Sequence, residues 1–251
     1  MKGPLSYVGG KNRLANQIIS LIPKHRTYVE PFGGGAQVLF RKSPSDVEVL
    51  NDIDGELVNF YRVCQAHHEE LLKQMRFVLL SREWYDRLKS TPPASLTDIQ
   101  RAARYFFLQK SSFGGMVARQ SLAAHITKRP TFTPKRIPEI INSAHERLQT
   151  VQIERLSYAE VIQKYDRPET FFYLDPPYYG IRLYHHNFSD DDFRQLNVCL
   201  AAMKGKFLLS INDHPEIRKI FSEYKIEEVE IFYSLQREAG KRYRELFIRN
   251  Y

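Results

Sequence analysis

The tetrapeptide Asp175-Pro176-Pro177-Tyr178 contains the residue types in this sequence that best fit a chemical task. It follows an apolar run, residues 171–174, so we expect it at the carboxyl end of a strand, where open α/β sheets bind ligands. The exocyclic amine of a nucleobase is a weak nucleophile, because its lone pair is delocalised into the ring. A carboxylate at Asp175 and a carbonyl at Pro176 would accept its hydrogens and aim the lone pair at a methyl sulfonium, while Tyr178 offers a flat stacking face. The alternative is a proline turn with an incidental aromatic residue.

A glycine-rich segment follows the first predicted strand, residues 27–31. It contains Glu30, Phe32, Gly33 and Gly35 and leads into a predicted helix. Glycines permit positive φ and close approach of a ligand, and a helix N-terminus offers free N–H groups. The GxGxxG fingerprint of dinucleotide sites is absent. The segment therefore indicates a ligand-binding loop, with a plain glycine turn as the alternative.

Asp52 ends the second predicted strand about twenty residues beyond the glycine segment, where an acid can accept hydrogen bonds from the ribose hydroxyls of a nucleoside cofactor. Asp52 could instead cap the next helix. Asp54 is the better cap candidate, which leaves Asp52 for a ligand.

Strand and helix patterns alternate along most of the chain, which predicts an α/β fold with a mostly parallel sheet covered on both faces. Too few residues separate the last two strands for a crossover helix, so we expect them to form an antiparallel hairpin. The predicted strands are residues 27–31, 47–52, 151–155, 171–174, 206–211, 228–234 and 244–250, and the predicted helices between them include 12–22, 35–41, 190–203 and 215–222.

A mainly helical region, residues 55–150, interrupts this alternation, with helices predicted at 54–67, 69–80 and 96–110. We interpret it as a domain inserted into a catalytic domain made of residues 1–54 and 151–251. Near its end lies a basic stretch, residues 128–136.

The chain carries a net charge of +8 and a sequence pI near 9.4, which favours a polyanionic partner such as nucleic acid. Its two cysteines, Cys64 and Cys199, show no metal-like or disulfide-like spacing, which indicates a reducing compartment. No apolar stretch is long enough to span a bilayer, and no signal peptide is evident. We therefore expect a cytoplasmic protein with no membrane partner.

Taken together, these motifs and their order resemble the Dam-like DNA adenine-N6 methyltransferases of bacteria and their phages, over essentially the whole chain. The resemblance implies the class I methyltransferase sheet, with six parallel strands and one antiparallel strand, and a target-recognition role for residues 55–150. It implies S-adenosyl-L-methionine as cofactor and double-stranded DNA as partner, with N6 of a flipped adenine as acceptor. It also implies catalytic roles for Asp175, Pro176, Pro177 and Tyr178, with Asp175 bordering the cofactor.

The resemblance adds two segments to the cofactor site. Residues 6–11 match the family's opening motif, which folds over the methionine part of the cofactor, so Tyr7 and Lys11 are carried over by position. Tyr158 stands where an aromatic residue flanks the cofactor adenine. Ser157 precedes it, where the family often has an acid.

The basic stretch is the candidate for DNA contact, through phosphates or a guanine edge. A solvated loop is the alternative for this stretch. An aromatic residue, Phe113 or Tyr179, would fill or frame the space that a flipped base leaves. The predicted DNA-binding residues are Phe113, Lys128, Arg129, Lys135 and Arg136.

Three further patterns have plainer interpretations. The pairs 67–68 and 185–186 are adjacent histidines, not metal-site spacing, and we expect no metal. The acidic run after Ser189 reads as a capped helix start, as do Asn212 and Asp213.

Other functions also stay open at the level of sequence. They are methylation of cytosine N4 or of an amine on RNA, and DNA binding by a catalytically silent fold. The pattern is compatible with a monomer or a homodimer.

Overall fold

The computed structural model describes residues 1–7, 11–112, 121–123, 132–182, 186–232 and 242–251. Its centre is a seven-stranded sheet in the order β3-β2-β1-β4-β5-β7-β6. The topological switch point of this strand order lies between β1 and β4, and open α/β sheets bind ligands at such a point. The strands are β1 Thr27–Glu30, β2 Val47–Asn51, β3 Val151–Glu154, β4 Thr170–Leu174, β5 Lys206–Asn212, β6 Lys225–Phe232 and β7 Arg242–Arg249.

Strand β4 lies in the middle of the sheet and is buried along its whole length. Phe171 and Tyr173 pack in the core on one face, and Phe172 and Leu174 pack in the core on the other. This two-residue alternation between two apolar layers is what a central strand covered on both faces requires. It also fixes the position at which Asp175 leaves the sheet.

The last two strands form the predicted antiparallel hairpin, with β7 inserted between β5 and β6. All the other strand pairs are parallel. In this register Glu245 of β7 lies opposite Asn212 of β5 and Val229 of β6. The predicted fold class, a class I methyltransferase sheet closed by a hairpin, is confirmed.

Helices cover both faces of the sheet, and none in the described part of the chain is long and apolar enough to cross a membrane. Their N-termini follow the expected capping chemistry. Asp54 caps α3, as predicted, and Ser189 caps α9 in a capping box with Asp192. The helices are α1 Ala15–Leu21, α2 Gln37–Arg41, α3 Gly55–Ala66, α4 His68–Met75, α5 Arg82–Ser90, α6 Asp98–Ser111, α7 Ile137–Leu148, α8 Tyr158–Tyr165, α9 Asp190–Ala201 and α10 Pro215–Ile220.

One predicted helix start is wrong. Asn212 is the last residue of β5, and the side chain that caps α10 is that of His214, which accepts from the Glu216 amide. Asp213 instead holds the Arg218 guanidinium through two hydrogen bonds of 2.7 and 2.9 Å. The polar residues before Pro215 do not define the cap of α10 by themselves, because the side chains of Asn212, Asp213 and His214 could each accept from its first amides.

Helices α3 to α7 connect β2 to β3 and make up most of the described part of residues 55–150. Leu57, Phe60 and Tyr61 of α3 belong to the same hydrophobic core as Tyr28 of β1. Helix α4 ends at Met75, earlier than predicted, because Phe77 and Leu79 are largely exposed and find no core to pack against. The division of the chain into two domains stays a prediction.

Candidate active site

A cavity of about 320 Å³ opens at the carboxyl ends of β1, β2 and β4. Its volume lies in the range of small-molecule sites, roughly 300–1,000 Å³. Five acids, an aromatic group and the glycine-rich segment line it together. The residues that line it include Tyr7, Lys11, Glu30, Phe32, Gly33, Gly34, Gly35, Asp52, Asp54, Leu156, Ser157, Tyr158, Tyr173, Asp175, Pro177, Phe188 and Asp192.

The glycine-rich segment owes its composition to its neighbours in the protein. A Cβ at Gly33 would lie 2.8 Å from the Leu50 side chain and 2.9 Å from the Asn51 carbonyl oxygen. A Cβ at Gly35 would lie 2.9 Å from Cβ of Tyr7, and Gly34 has a φ of +47°. Tyr7 therefore packs directly on the glycines, so the predicted loop and the N-terminal residue together form one wall of the cavity.

Asp52 faces the cavity with both carboxylate oxygens anchored by backbone. Its Oδ2 accepts from the Gly34 amide and its Oδ1 from the Asp54 amide, each at 2.9 Å. Burial raises its pKa to about 6, although these two amides act in the opposite direction. The carboxylate is thus fixed in orientation and keeps acceptor capacity toward the cavity.

Glu30 is 1% exposed at the end of β1 and also faces the cavity. It accepts hydrogen bonds from the Tyr28 hydroxyl at 2.7 Å and from the Leu39 amide at 2.8 Å. Burial raises its pKa to about 7, which these two donors only partly offset. A carboxyl group held in this way can shift its protonation state near neutral pH.

Lys11 is the centre of a charged cluster that borders the cavity. Its Nζ lies 2.5 Å from Asp175 Oδ1, 2.9 Å from the Tyr178 hydroxyl and 3.0 Å from Glu245 Oε1. The Tyr178 hydroxyl in turn donates to Glu245 Oε2 at 3.1 Å. We call these four residues the Lys11 cluster, and it contains two of the predicted catalytic residues and one residue that the sequence analysis missed.

The Lys11 cluster sets the protonation of its own members. Burial raises the pKa of Asp175 to about 6, the Lys11 charge lowers it, and the Glu245 charge raises it. Burial lowers the pKa of Lys11, but the charges of Asp175 and Glu245 outweigh this effect and hold that pKa well above its usual value. Lys11 is therefore a fixed cation, and Asp175 is ionised only above mildly acidic pH.

An aromatic group closes the far end of the cavity. The rings of Phe32, Tyr158 and Phe188 lie 5.5–5.6 Å apart, centroid to centroid, as a triangle. Ser157 caps α8 through a capping box with Glu160, which explains a serine where the related family often has an acid. The group gives the cavity an apolar aromatic wall, against which a planar ring can pack.

The predicted site residues are not all brought together. Asp175 and Pro177 line the cavity, whereas Pro176 and Tyr178 are not among the residues that line it. Lys135 and Arg136 are exposed in a short 3₁₀ turn before α7 and do not line it. Phe113, Lys128 and Arg129 lie outside the described residues.

Several residues near the site are not predicted from sequence, among them Phe188 of the aromatic group, Glu245, Asn212 and Asp192. Glu245 had a readable signal, since it is an acid at the head of the apolar run Leu246, Phe247 and Ile248. Asn212 was read as a helix start. Asp192 was correctly read as part of a cap, but it lines the cavity as well.

The protein without ligands is expected to become more stable as the pH falls from about 8 to about 5.5. Glu30, Asp52 and Asp175 have folded pKa values of about 7, 6 and 6, against usual values of 4.5, 3.8 and 3.8. Between the two sets of values the folded state binds more protons than the unfolded state, so the free energy of unfolding decreases with rising pH. Each unit of pKa difference corresponds to about 1.4 kcal/mol.

Thermal melts across that pH range measure this effect. The matched variant Glu30→Gln should show a flatter dependence, because it removes the group with the highest of the three folded pKa values. A melting temperature that rises steadily from pH 5.5 to pH 8 would contradict the assignment.

The strand order, the closing hairpin and the cavity at the carboxyl ends of β1, β2 and β4 define a class I methyltransferase. The chain belongs to the family of D12 class N6 adenine-specific DNA methyltransferases, whose model matches residues 7–235. The predicted family is therefore confirmed, and its activity is methylation of adenine N6 in DNA. Methyltransferases generally use S-adenosylmethionine as methyl donor.

Relatives support the same assignment. The chain is 28% identical to the Type II methyltransferase M1.LlaDCHI of Lactococcus lactis subsp. cremoris, over 89% of this chain and 86% of the relative. It is 25% identical to the Type II methyltransferase M.CviBI of Paramecium bursaria Chlorella virus NC1A, over 96% and 94%. It is 24% identical to the DNA adenine methylase of Salmonella typhi, over 95% and 90%. Among the functions considered from sequence, adenine N6 methylation is the one that these similarities support.

Proposed function

We propose that the chain transfers the methyl group of S-adenosylmethionine to N6 of an adenine flipped out of duplex DNA, with Asp175 as the acceptor that orients the amine. The observation that carries this proposal is the position of Asp175. Its side chain is 22% exposed and lines the cavity, and the Lys11 ammonium, which also donates to the Tyr178 hydroxyl, holds its Oδ1. The Asp175 carboxylate is therefore close both to the cavity proposed for the cofactor and to Tyr178, the residue proposed to stack on the base.

The cavity fits S-adenosylmethionine in size and in charge. When bound, the cofactor supplies a methyl group on a cationic sulfonium, and a cation is favoured beside the carboxylates of Glu30 and Asp175. Asp52 is placed to accept from ribose hydroxyls, because its carboxylate is already oriented by two amides. The aromatic wall that Phe32 and Tyr158 form beside the cavity suits packing against the adenine ring.

The remaining predicted cofactor contacts form the cavity wall. Tyr7 and Lys11 would lie along the methionine part, and Gly33 and Gly35 bring the backbone close to it. Ser157 is occupied by its capping box with Glu160, so Tyr158 is the stronger candidate of this pair for contact with the adenine.

The proposed chemistry needs acceptors and no strong base. Asp175 and the Pro176 carbonyl accept the two hydrogens of the amine, which turns the nitrogen lone pair toward the methyl group. As the N–C bond would form, the sulfur–methyl bond would break with its electron pair left on sulfur, so the nitrogen becomes positively charged and acidic, and one of its protons can pass to the Asp175 carboxylate. Asp175 must therefore be ionised beforehand, and the neighbouring charge of Lys11 favours that state. Tyr178 supplies the stacking face, and Pro177 helps to fix the turn.

We further propose that residues 55–150 provide the DNA-recognition region, with residues 1–54 and 151–251 as the catalytic domain. The net charge of +8 supports binding to a polyanion. Phe113, Lys128, Arg129, Lys135 and Arg136 remain the proposed DNA contacts. Base flipping costs roughly a few kcal/mol, which contacts of this kind would offset. Pairing with a restriction enzyme, oligomeric state and a cytoplasmic location stay predictions.

Expression in a host without DNA methylation, followed by single-molecule sequencing and nucleoside mass spectrometry, tests the proposal. We expect N6-methyladenine at one short recognition sequence. N4-methylcytosine, methylation confined to RNA, or no modified nucleoside would overturn the proposal. The Asp175→Ala variant, expressed to the same level, is the negative control.

A further inference from the structure

Glu245 is a buried carboxylate at the head of the apolar run in strand β7. It is 2% exposed, and the three residues that follow it in β7 are fully buried and hydrophobic. Burying a charged carboxylate is costly unless it is paired and hydrogen-bonded. A carboxylate in this position therefore requires partners that stabilise its charge.

Both partners of Glu245 belong to the methyl-transfer site. One oxygen, Oε1, lies 3.0 Å from Lys11 Nζ, and the other, Oε2, accepts from the Tyr178 hydroxyl at 3.1 Å. Glu245 is not among the residues that line the cavity. It can therefore affect a ligand there through its contacts with Lys11 and Tyr178 and through the effect of its charge on Asp175.

Strand β5, which neighbours β7, contacts Tyr179, the residue that follows Tyr178. Asn212 of β5 is the direct cross-strand partner of Glu245. Its Oδ1 accepts from the Tyr179 amide at 2.9 Å, and its Nδ2 donates to the Tyr179 carbonyl oxygen at 3.2 Å. Two adjacent side chains of one strand pair thus fix two consecutive residues, Tyr178 by its hydroxyl and Tyr179 by its backbone.

We propose that Glu245 is a positioning residue for methyl transfer, which holds the Tyr178 ring and the Lys11 ammonium in the arrangement that Asp175 needs, with Asn212 supporting the same loop. This inference rests on the proposed roles of Asp175 and Tyr178. According to this inference, the antiparallel strand β7 contributes a residue that positions the groups of the methyl-transfer site.

The charge of Glu245 distinguishes this role from a merely structural one. The charged and titratable groups around Asp175 are Lys11, Glu245, Glu30, Tyr173 and Tyr178. Among these, Glu245 raises the pKa of Asp175, and Lys11 lowers it. Glu245→Gln keeps the shape of the side chain and removes its charge, so the pKa of Asp175 should fall.

The experiment compares the full-length wild type with Glu245→Gln, Glu245→Ala and Asn212→Ala, using kcat, KM and pH–rate profiles on duplex DNA. For Glu245→Gln we expect kcat to fall roughly 10- to 100-fold, as for a small misplacement of reacting groups. KM for both ligands should stay close to wild type, because Glu245 touches neither. The acid limb should move to lower pH by about one unit. Asn212→Ala should lower kcat and leave the acid limb in place, because Asn212 carries no charge.

Glu227→Gln is the matched control. Glu227 is also a carboxylate of the hairpin and pairs with Arg249 of β7 at 2.8 Å, but it lies away from the cavity. It should keep the wild-type kcat and pH profile. A Glu245→Gln enzyme with wild-type kcat and acid limb would overturn the inference, and so would a loss of kcat in that variant with no shift of the limb.

The melting temperature of Glu245→Gln and the product formed by the wild type distinguish a failure of this inference from a failure to fold and from a failure of the proposed function. A Glu245→Ala variant that fails to fold does not affect the test, because Glu245→Gln keeps the size of the side chain and one acceptor oxygen, and its melting temperature is measured alongside. If wild type itself forms no N6-methyladenine, the proposed function fails. If wild type is active and Glu245→Gln is unchanged, only this inference fails.

Discussion

Replacing Asp175 by alanine is expected to lower methyl transfer by roughly 10²- to 10⁴-fold, the usual contribution of one positioned proton-accepting group. The fold should survive, because Lys11 keeps Glu245 as a counter-ion at 3.0 Å when Asp175 is removed. Binding of S-adenosylmethionine should weaken only modestly, since the ribose and adenine contacts proposed for Asp52 and Tyr158 remain. Initial rates with labelled cofactor, together with a thermal melt, measure both effects.

Asp213→Asn provides a matched control for the Asp175 variant. Asp213 lies just beyond the end of the neighbouring strand β5, its side chain is 19% exposed against 22% for Asp175, and it is likewise paired with a cation, Arg218. It does not line the cavity. Near-normal activity of Asp175→Ala, or an equal loss in Asp213→Asn, would show that Asp175 has no special role.

Replacing Lys11 by methionine is expected to harm both stability and activity. Two carboxylates, Asp175 and Glu245, lose their shared cation. Breaking a fully buried ion pair costs about 3–5 kcal/mol, and we expect the lower end because Asp175 is partly exposed. Without the Lys11 charge the pKa of Asp175 should rise further above about 6, so the acid limb of the rate profile should move to higher pH. Activity should recover in part as the pH is raised.

Urea unfolding and pH–rate profiles measure the two effects of Lys11→Met separately. Lys42→Met is the control, because Lys42 is also buried and paired, with Glu48, and its charge acts on Glu30 but is not among those that shift the pKa of Asp175. It should lose stability without moving the acid limb. A limb that stays in place in Lys11→Met would contradict the assignment. The shift is opposite in sign to the one expected for Glu245→Gln, so the two variants test one electrostatic account from both sides.

Local signals carried most of what the sequence predicted correctly. The apolar run before Asp175 defined a strand and therefore the edge at which this carboxylate leaves the sheet. The short connection between the last two strands was enough to predict the hairpin, and Asp54 was recognised as a cap from its place before α3. Each of these features depends on residues close together in the chain.

The features that were missed depend on partners far apart in the chain. Glu245 acquires its role only when β7 inserts between β5 and β6, and no local pattern states that register. The glycines at positions 33 and 35 were explained by a ligand, whereas the structure shows that Leu50, Asn51 and Tyr7 already exclude a side chain there. Sequence patterns identified the residue types that the site needs, and tertiary contacts decided which atoms meet.

The register between Asn212 and Glu245 also bears on the order in which parts of the enzyme are synthesised and fold. Lys11 precedes the first strand of the sheet and Glu245 lies in the last, so the cluster that surrounds Asp175 joins the two extremes of the topology. Contacts between distant parts of a chain form late in folding, because closing a long loop costs entropy before any contact is gained. Synthesis must therefore reach β7 before Glu245 can join Lys11 and Tyr178, so the Lys11 cluster can be completed only after the strands that carry the rest of the cavity have been made.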